Sequence, residues 1–311
     1  MDIRTCSIVL MPAVFYIIGY MKRFIRTLMI LLFFSLPCMA AELGVLPEAP
    51  EGGQAVYVRI DKPGMFKYTV YFNGAEYTPY ETADKSLEII LPLEIEEQDT
   101  KLLSVKGRLW GVSLKKFDEY ITVLPRDIEV YKLKTGDVKM RDRQPSVQEQ
   151  RDAVVNAFNT LTSERLWEGG FIMPVMAKIS SPFALKRESK TYSYFHKGVD
   201  LATKKGTPVK AANSGRVILR GDRFNVYGNC LVIDHGQGVV TCYMHLDEAL
   251  KEEGSPVQKG DEIGKLGSTG WSSGPHLHFG VYIHGSAVDP VWWINFSGHL
   301  FSEKPAEDIN P

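Results

Sequence analysis

The segment Gly274-Pro275-His276-Leu277-His278-Phe279 contains the pattern that decides the fold of the C-terminal half. In a β-strand, residues i and i+2 project to one face, so His276 and His278 are expected side by side while Leu277 points into a packed interior. Two protonated imidazoles at this spacing repel each other, and a metal removes the conflict because it binds neutral rings. The segment therefore predicts a strand of a β-rich domain that carries a metal site.

Two further clusters belong to the same prediction, since all seven histidines lie in the C-terminal half. His196 stands four residues before Asp200, and His245 follows the apolar residues Tyr243 and Met244. Ligands from two histidines and one aspartate match a catalytic zinc site, in which the fourth position stays open. No functional role is predicted for the three histidines in predicted turns or beside glycines, which are His235, His284 and His299.

Taken together, these clusters resemble those of the lysostaphin-like (LytM-type) zinc metallopeptidases, which cleave peptide cross-links in bacterial peptidoglycan. The resemblance covers about Phe171 to Trp293. Its further matching motifs are Gly206-Thr207-Pro208-Val209, Gly215-Arg216-Val217, Tyr227-Gly228-Asn229, and Lys259-Gly260-Asp261 leading to Gly264, Gly267 and Thr269-Gly270. The resemblance implies a peptidase and a peptidoglycan peptide as its substrate.

Residue by residue, the resemblance implies that His196, Asp200 and His278 are the ligands of a Zn²⁺ ion. It makes His245 and His276 the catalytic histidines beside the metal. One of them takes a proton from the attacking water and passes it to the departing amine. The resemblance leaves open which histidine does so.

Two positions near these clusters need separate comment. Family members often use a tyrosine upstream of the first ligand to stabilise the tetrahedral intermediate, and Tyr192 and Tyr194 are both candidates. Ser273 stands where many members have threonine, so a hydroxyl is retained.

Two other functions are compatible with the sequence. The first is a catalytically inactive relative that binds the wall and activates another murein hydrolase, although the chain keeps the ligands and histidines that such relatives typically lose. The second is an exported zinc protease that acts on proteins, and the sequence contains no evidence against this function. A net charge of −1 gives no indication of nucleic-acid binding.

Residues 1–40 are predicted to be a leader that exports the protein to the periplasm or cell envelope. Neither apolar run, 8–20 or 28–36, reaches the roughly 20 residues that span a bilayer. The second run has the signal-peptide layout: Met21 and basic residues precede it, and small residues around Ala40 follow it.

Several alternatives to a cleaved leader stay open. Met21 is a candidate start residue, and an uncleaved leader would associate transiently with the membrane. A membrane anchor built from both apolar runs is less favoured. A lipidated Cys38 is less favoured still, because Leu36 and Pro37 precede that cysteine where a small residue is usual.

Residues 41–130 are predicted to form a small β-sandwich, because short alternating apolar stretches are separated by turn signals such as Asn73-Gly74. This region contains no histidine and no cysteine, so it is an accessory module that binds, spaces or covers the groove. Covering is favoured, since a wall-cutting enzyme with unrestricted access would endanger its own cell.

Residues 131–166 are predicted to be a connector with one helix at 147–160, which begins in a capping box at Ser146. Residues 167–301 are expected to form the zinc metallopeptidase domain from strands and turns, with no long helix, and residues 302–311 a tail. The apolar positions of the predicted helix are Val154, Val155, Phe158 and Leu161.

Two of the four cysteines, Cys230 and Cys242, lie outside the predicted leader. They flank a predicted hairpin that turns at residues 235–238. An odd loop would place both on one face, where they could form a disulfide, and an even loop on opposite faces. The sequence leaves this parity open.

Overall fold

The computed structural model describes residues 41–133, 145–189 and 193–301. The predicted leader 1–40, the tail 302–311, part of the connector and Tyr192 lie outside these residues. The described part of the chain is mainly β, as predicted, and from Leu43 onward it falls in one compact unit. Within it, no helix is long and apolar enough to cross a membrane.

Among the described residues, strands form most of the secondary structure. The strands before the first helix are β1 (Glu42–Leu46), β2 (Ala55–Asp61), β3 (Lys67–Phe72), β4 (Ala75–Tyr77), β5 (Tyr80–Glu81), β6 (Leu87–Pro92), β7 (Asp99–Leu109), β8 (Val112–Val123) and β9 (Val130–Lys132). Those after it are β10 (Lys178–Ser181), β11 (Lys186–Glu188), β12 (Ser193–Phe195), β13 (Val199–Ala202), β14 (Pro208–Lys210), β15 (Gly215–Phe224), β16 (Gly228–Gly236), β17 (Val239–Ala249), β18 (Pro256–Val257), β19 (Glu262–Leu266), β20 (His276–Ile283) and β21 (Ser286–Val288). The helices are α1 (Pro145–Phe158) and α2 (Pro290–Leu300).

The C-terminal half is built on a ten-stranded sheet whose main path runs β10-β13-β20-β17-β16-β15-β18. Every pairing along β13, β20, β17 and β16 is antiparallel. The central strands β16 and β17 are buried on both faces, which explains the unbroken apolar run Leu231-Val232-Ile233. Strand β20 lies between β13 and β17, so a hydrogen-bonded strand on each side fixes the position of its side chains.

Two four-stranded sheets, β1-β2-β6-β5 and β4-β3-β7-β8, form the N-terminal β region. Ala55 and Tyr57 on one face of β2 belong to the same hydrophobic core as the C-terminal half. Val56 and Val58, on the other face, are equally buried but lie outside that core. The sheet β1-β2-β6-β5 is therefore a middle layer with an apolar partner on both sides.

Strand β9 leaves the N-terminal β region and pairs in parallel with β11 of the C-terminal half. Lys186 N donates to Glu129 O at 2.9 Å, and Leu133 N donates to Glu188 O at 2.8 Å. Strand β9 spans position 130, where the sandwich was predicted to end and the connector to begin. That boundary stays a prediction.

Strands β16 and β17 form the predicted hairpin, which turns at Gln237 and Gly238, both with positive φ. A two-residue turn alone would place Cys230 and Cys242 on opposite faces. A bulge between Asp234 and Gly236 shifts the register by one, so Cys242 pairs with Val232 and shares a face with Cys230. Both thiols are nevertheless free and buried. Burial raises the pKa of Cys230 to about 12.

The first helix agrees with the sequence-based prediction within two residues at each end. Val154 and Phe158 are buried, and the Phe158 ring stacks on Tyr282 with centroids 3.6 Å apart. Val155 and Leu161 are exposed, so the apolar stripe is narrower than the sequence indicated. The predicted capping box falls on Ser146, whose side chain lies outside the described part of the structure.

The C-terminal half also contains a helix that the sequence analysis did not predict, α2, which spans 11 residues. Asp289 caps it: its Oδ1 accepts hydrogen bonds from Val291 N at 2.9 Å and Trp292 N at 3.3 Å. Pro290 occupies the first turn, where a missing N–H costs nothing. The pair Asp289-Pro290 was the sequence signal for the start of this helix. The helix contributes the fully buried side chain of Trp293 to the hydrophobic core.

His235 occupies the bulge of the β16–β17 hairpin and is fully buried. Its Nδ1 donates to Ser214 O at 2.8 Å, and its Nε2 lies 2.8 Å from Thr241 Oγ1. Burial lowers the pKa of His235 to about 4, because the interior disfavours the charged ring. The ring is thus a neutral structural link between strands.

We expect the free energy of unfolding to decrease as the pH is lowered from about 6.5 to 4. In this range His235 binds a proton in the unfolded chain but stays neutral in the folded protein. A difference of 2.5 pKa units corresponds to roughly 3 kcal/mol. His235→Asn should reduce this pH dependence, measured by urea unfolding at several pH values. His299→Asn, at an exposed position, is the control, and equal slopes in both variants would contradict the prediction.

Candidate metal centre and active site

Three neighbouring strands bring the predicted site residues together. Asp200 on β13 pairs directly with His278 on β20, and Ala202 pairs with His276. On the other side of β20, Met244 of β17 pairs with His278, which places His245 one residue further along. Four of the five candidate residues thus converge at one place in the sheet, and His196, which precedes β13, reaches the same place through its ring.

The three predicted ligands present one atom each to a common point. His196 Nε2 lies 3.0 Å from His278 Nδ1, and Asp200 Oδ1 lies 3.0 Å from both nitrogens. These atoms form a triangle with equal sides. Zn–N and Zn–O distances of about 2.1 Å give a tetrahedral edge of about 3.4 Å, so one ion can reach all three with a small adjustment.

The donor chemistry of the triangle also fits a cation. His196 Nδ1 lies 2.8 Å from Pro182 O, and a carbonyl oxygen only accepts, so Nδ1 carries the proton. In the neutral ring, Nε2 then directs a lone pair at His278 Nδ1 and Asp200 Oδ1. Electron pairs facing each other at 3.0 Å require a proton or a metal ion between them, and the set of two imidazoles and one carboxylate is one that Zn²⁺ accepts.

Titration of the ligands follows from the same geometry. Burial raises the pKa of Asp200, but hydrogen bonds and charge from His196 and His278 outweigh this and hold the pKa well below its usual range. Burial lowers the pKa of His278, partly opposed by its hydrogen bond to Asp200. The carboxylate is therefore ionised at neutral pH, as a metal ligand must be.

Glycine is required between the first two ligands because His278 packs against the backbone there. A Cβ atom on Gly198 would lie 2.6 Å from Phe279 O and 2.8 Å from His278 Nε2. The spacing His196–Gly198–Asp200 thus has a steric reason as well as a ligand reason. Sequence reasoning used the two ligands and missed the role of the glycine.

The remaining two histidines lie beside the triangle. Their ring centroids are 4.8 Å apart, and His276 Nε2 lies 3.8 Å from Asp200 Oδ1. His276 Nδ1 contacts Gly274 O at 2.8 Å and His245 Nδ1 contacts Thr269 O at 2.9 Å, so both Nδ1 atoms donate to carbonyls. Both Nε2 atoms are consequently lone-pair acceptors in the neutral rings.

His245 is held by two closely packed loops. Its backbone nitrogen donates to Tyr227 O at 2.9 Å, and its φ is +63°. A Cβ atom on Gly228 would lie 2.3 Å from Thr269 Oγ1, and one on Gly270 would lie 2.3 Å from Gly228 N. The two glycines therefore allow the loops to touch. Burial, reinforced by the nearby His278, lowers the pKa of His245 to about 4.

One residue at the site carries no sequence signal. Arg187 on β11 places its Nη2 3.5 Å from Asp200 Oδ2, the oxygen that points away from the triangle, and donates to Ser181 Oγ at 3.1 Å.

Tyr194 is exposed, with its ring centroid 6.0 Å from the Arg187 guanidinium carbon. Of the two candidate tyrosines it is the one among the described residues, and its role stays a prediction.

Comparison with known proteins yields a family match to the same region. The sequence profile of Peptidase family M23 matches residues 194–290, which include all five candidate residues. The DD-carboxypeptidase/endopeptidase Mpg of Neisseria meningitidis serogroup B is 43% identical over 127 residues, 40% of this chain and 29% of that protein. The peptidoglycan DD-endopeptidase ShyB of Vibrio cholerae serotype O1 is 42% identical over 97 residues, 31% of this chain and 22% of that protein.

The chain spans less than a third of the length of these two relatives. A crystal structure of a candidate M23 peptidase from Pseudomonas aeruginosa covers 79% of this chain and 94% of its own, with a TM-score of 0.60 and 22% identity. At that identity the likeness concerns the fold alone. Its extent exceeds what residues 145–301 can supply, so the shared fold includes part of the N-terminal β region.

We expect alanine at His196, Asp200 or His278 to abolish binding of zinc, because each residue supplies one of three protein ligands. The measurement is metal content of the folded variants by elemental analysis. His299→Ala, on the exposed end of α2, should keep the wild-type metal content. Near-full occupancy in all three ligand variants would show that the triangle does not hold the metal.

We also expect Gly198→Ala to weaken zinc binding by at least tenfold, because the new methyl group must displace His278 or its strand. Gly274→Ala is the matched control: it lies two residues from His276, and a Cβ atom there meets nothing within 4 Å. Competition with a chromophoric chelator measures both dissociation constants. Equal constants would contradict the steric argument.

Proposed function

We propose, from the match of residues 194–290 to peptidase family M23, that the chain is an exported zinc endopeptidase that hydrolyses peptide cross-links of bacterial peptidoglycan. The observation that supports this most directly is the triangle of three ligand atoms, 3.0 Å apart, with two further imidazoles beside it. A triangle of ligands leaves one tetrahedral position open, as catalytic zinc sites require.

In this proposal His196, Asp200 and His278 hold the ion. When bound, zinc supplies Lewis acidity, which activates water at neutral pH and polarises a carbonyl group. His245 and His276 each present an Nε2 lone pair to the same space, because their Nδ1 protons are committed to Thr269 O and Gly274 O.

One of these two rings accepts the proton of the attacking water and returns it to the departing amine. The other donates to the developing oxyanion, for which its Nε2 must first take up a proton. The low pKa of His245 keeps its ring neutral throughout the neutral range, so its Nε2 is available as an acceptor there. Bound zinc and substrate add their own charges to this environment.

The substrate class in the proposal comes from the relatives, whose names specify DD-endopeptidase activity and, for ShyB, peptidoglycan. Export comes from the predicted leader, and with it a location in the periplasm or cell envelope. Retention of all three ligands and both histidines favours an enzyme over an inactive activator of another hydrolase. The digestion assay described below distinguishes cleavage of murein from cleavage of proteins.

We expect His245→Ala and His276→Ala to keep most of the bound zinc and to lose about 10²–10⁴ in turnover, the usual contribution of general acid–base catalysis. His299→Ala, at an exposed position on α2, controls for loss of a histidine as such. Turnover comes from digestion of purified murein with mass analysis of the fragments. Wild-type turnover in either variant would exclude that histidine from catalysis.

The same digestion tests the proposed function as a whole. Cleaved cross-links with intact glycan chains are expected from wild type, and chelator treatment should abolish the cleavage. If murein stays intact while a protein substrate is cut, the enzyme is a protease of another substrate class. If neither is cut although zinc is bound, the activator function becomes the better explanation.

A further inference from the structure

A short segment, residues 181–188, encloses the first ligand from one side. Pro182 O accepts the Nδ1 proton of His196 at 2.8 Å. Ala184 N donates to His196 O at 2.9 Å, and His196 N donates to Leu185 O at 3.0 Å. This segment, which we call the ligand-holding segment, therefore sets both the backbone and the ring orientation of His196.

The same segment reaches the second ligand. Arg187 Nη2 lies 3.5 Å from Asp200 Oδ2 and donates to Ser181 Oγ, which itself lies 3.3 Å from His196 Nδ1. Hydrogen-bond partners of this kind orient metal ligands and fix their protonation. Two of the three ligands thus depend on the position of the ligand-holding segment.

The N-terminal β region contacts the ligand-holding segment through Phe183. The Phe183 ring packs on the backbone of Gly53, where a Cβ atom would lie 2.6 Å from the ring. The Arg126 guanidinium lies 5.3 Å from the centroid of the same ring. Arg126 also donates to Gly52 O at 2.8 Å and to Asp289 Oδ2 at 2.8 Å, and its side chain is 13% exposed.

Strand β9 holds the other end of the segment. It pairs in parallel with β11, and Arg187 lies opposite Tyr131 in this register. Two other contacts between the halves are distant from the ligands along β20. Tyr77 contacts His284 at 5.2 Å and Ser286 donates to Glu94 at 2.7 Å, about 23 Å of strand beyond His276.

We propose that the N-terminal β region positions the metal ligands by holding the ligand-holding segment, with Arg126 and Phe183 as positioning residues. This role differs from covering the groove, which the sequence analysis favoured, because the contacts described above act behind His196 and at the far end of β20. The inference rests on the proposed zinc function. It assigns to residues outside the M23 match a measurable effect on metal affinity.

The test compares two arginines that join the same two halves. Arg126→Gln removes the contact with Phe183 and the bond to Asp289. Arg165→Gln is the matched control: Arg165 pairs with Glu88 at 3.0 Å and lies over the Trp167 and Phe301 rings, away from the ligand-holding segment. Zinc dissociation constants of the full chain are measured by chelator competition, and unfolding in excess chelator reports the stability of each metal-free variant.

We expect Arg126→Gln to raise the zinc dissociation constant about tenfold and Arg165→Gln to leave it within twofold, although both lower metal-free stability. Phe183→Leu should reproduce the effect of Arg126→Gln, and the double variant should be less than additive, because both act through one segment. Arg126→Lys should restore part of the affinity. The absorption spectrum of the Co²⁺-substituted protein should shift for Arg126→Gln and not for Arg165→Gln, as ligand orientation changes.

Equal dissociation constants for Arg126→Gln and Arg165→Gln, with wild-type zinc binding intact, would overturn the positioning role and leave the proposed function standing. Additive effects of Arg126→Gln and Phe183→Leu would likewise overturn it, since they would act by separate routes. A wild-type chain that binds no zinc would overturn the proposed function and this inference with it.

Discussion

Three electron-pair donors held 3.0 Å apart are the constraint around which the C-terminal half is organised. With no proton and no metal ion between them, His196 Nε2, His278 Nδ1 and the Asp200 carboxylate would direct lone pairs at one another, and burial increases the cost. The protein maintains the arrangement by placing Asp200 and His278 as a direct pair on adjacent strands, which cannot separate without breaking the sheet. The carbonyl of Pro182 then fixes the one ring that the sheet does not hold.

Much of this could be predicted from the sequence because the signals are local. A period of two on β20 places His276 and His278 on one face. The resemblance to the lysostaphin-like metallopeptidases predicted the roles of His196, Asp200 and His245. Other features depend on contacts between distant segments, which periodicity does not contain. Arg187 on β11 contacts Asp200 on β13. The register shift at the β16–β17 bulge determines that Cys230 and Cys242 lie on the same face of the sheet. The helix α2 was missed for a different reason, since its Asp-Pro start was not weighed against the surrounding strand signals.

The partition between an accessory and a catalytic half looks sharper in the sequence than in the structure. Histidine content divides the chain cleanly, but apolar packing does not, because β2 and β6 contribute to the core of the C-terminal half. The two halves are also connected by the parallel pairing of β9 with β11 and by the hydrogen bond between Arg126 and Asp289. Residue types that perform chemistry therefore mark a smaller region than the residues that stabilise it.

The middle position of the sheet β1-β2-β6-β5 has a consequence for the order of events during biosynthesis. Tyr57 on this sheet contacts Phe301, roughly 240 residues later in the chain, with ring centroids 6.1 Å apart. At about 5–20 residues per second, the ribosome needs on the order of 10 to 50 seconds to supply that partner. During this interval the apolar sheet face is incompletely covered, which is the condition under which nascent chains associate with one another or recruit chaperones.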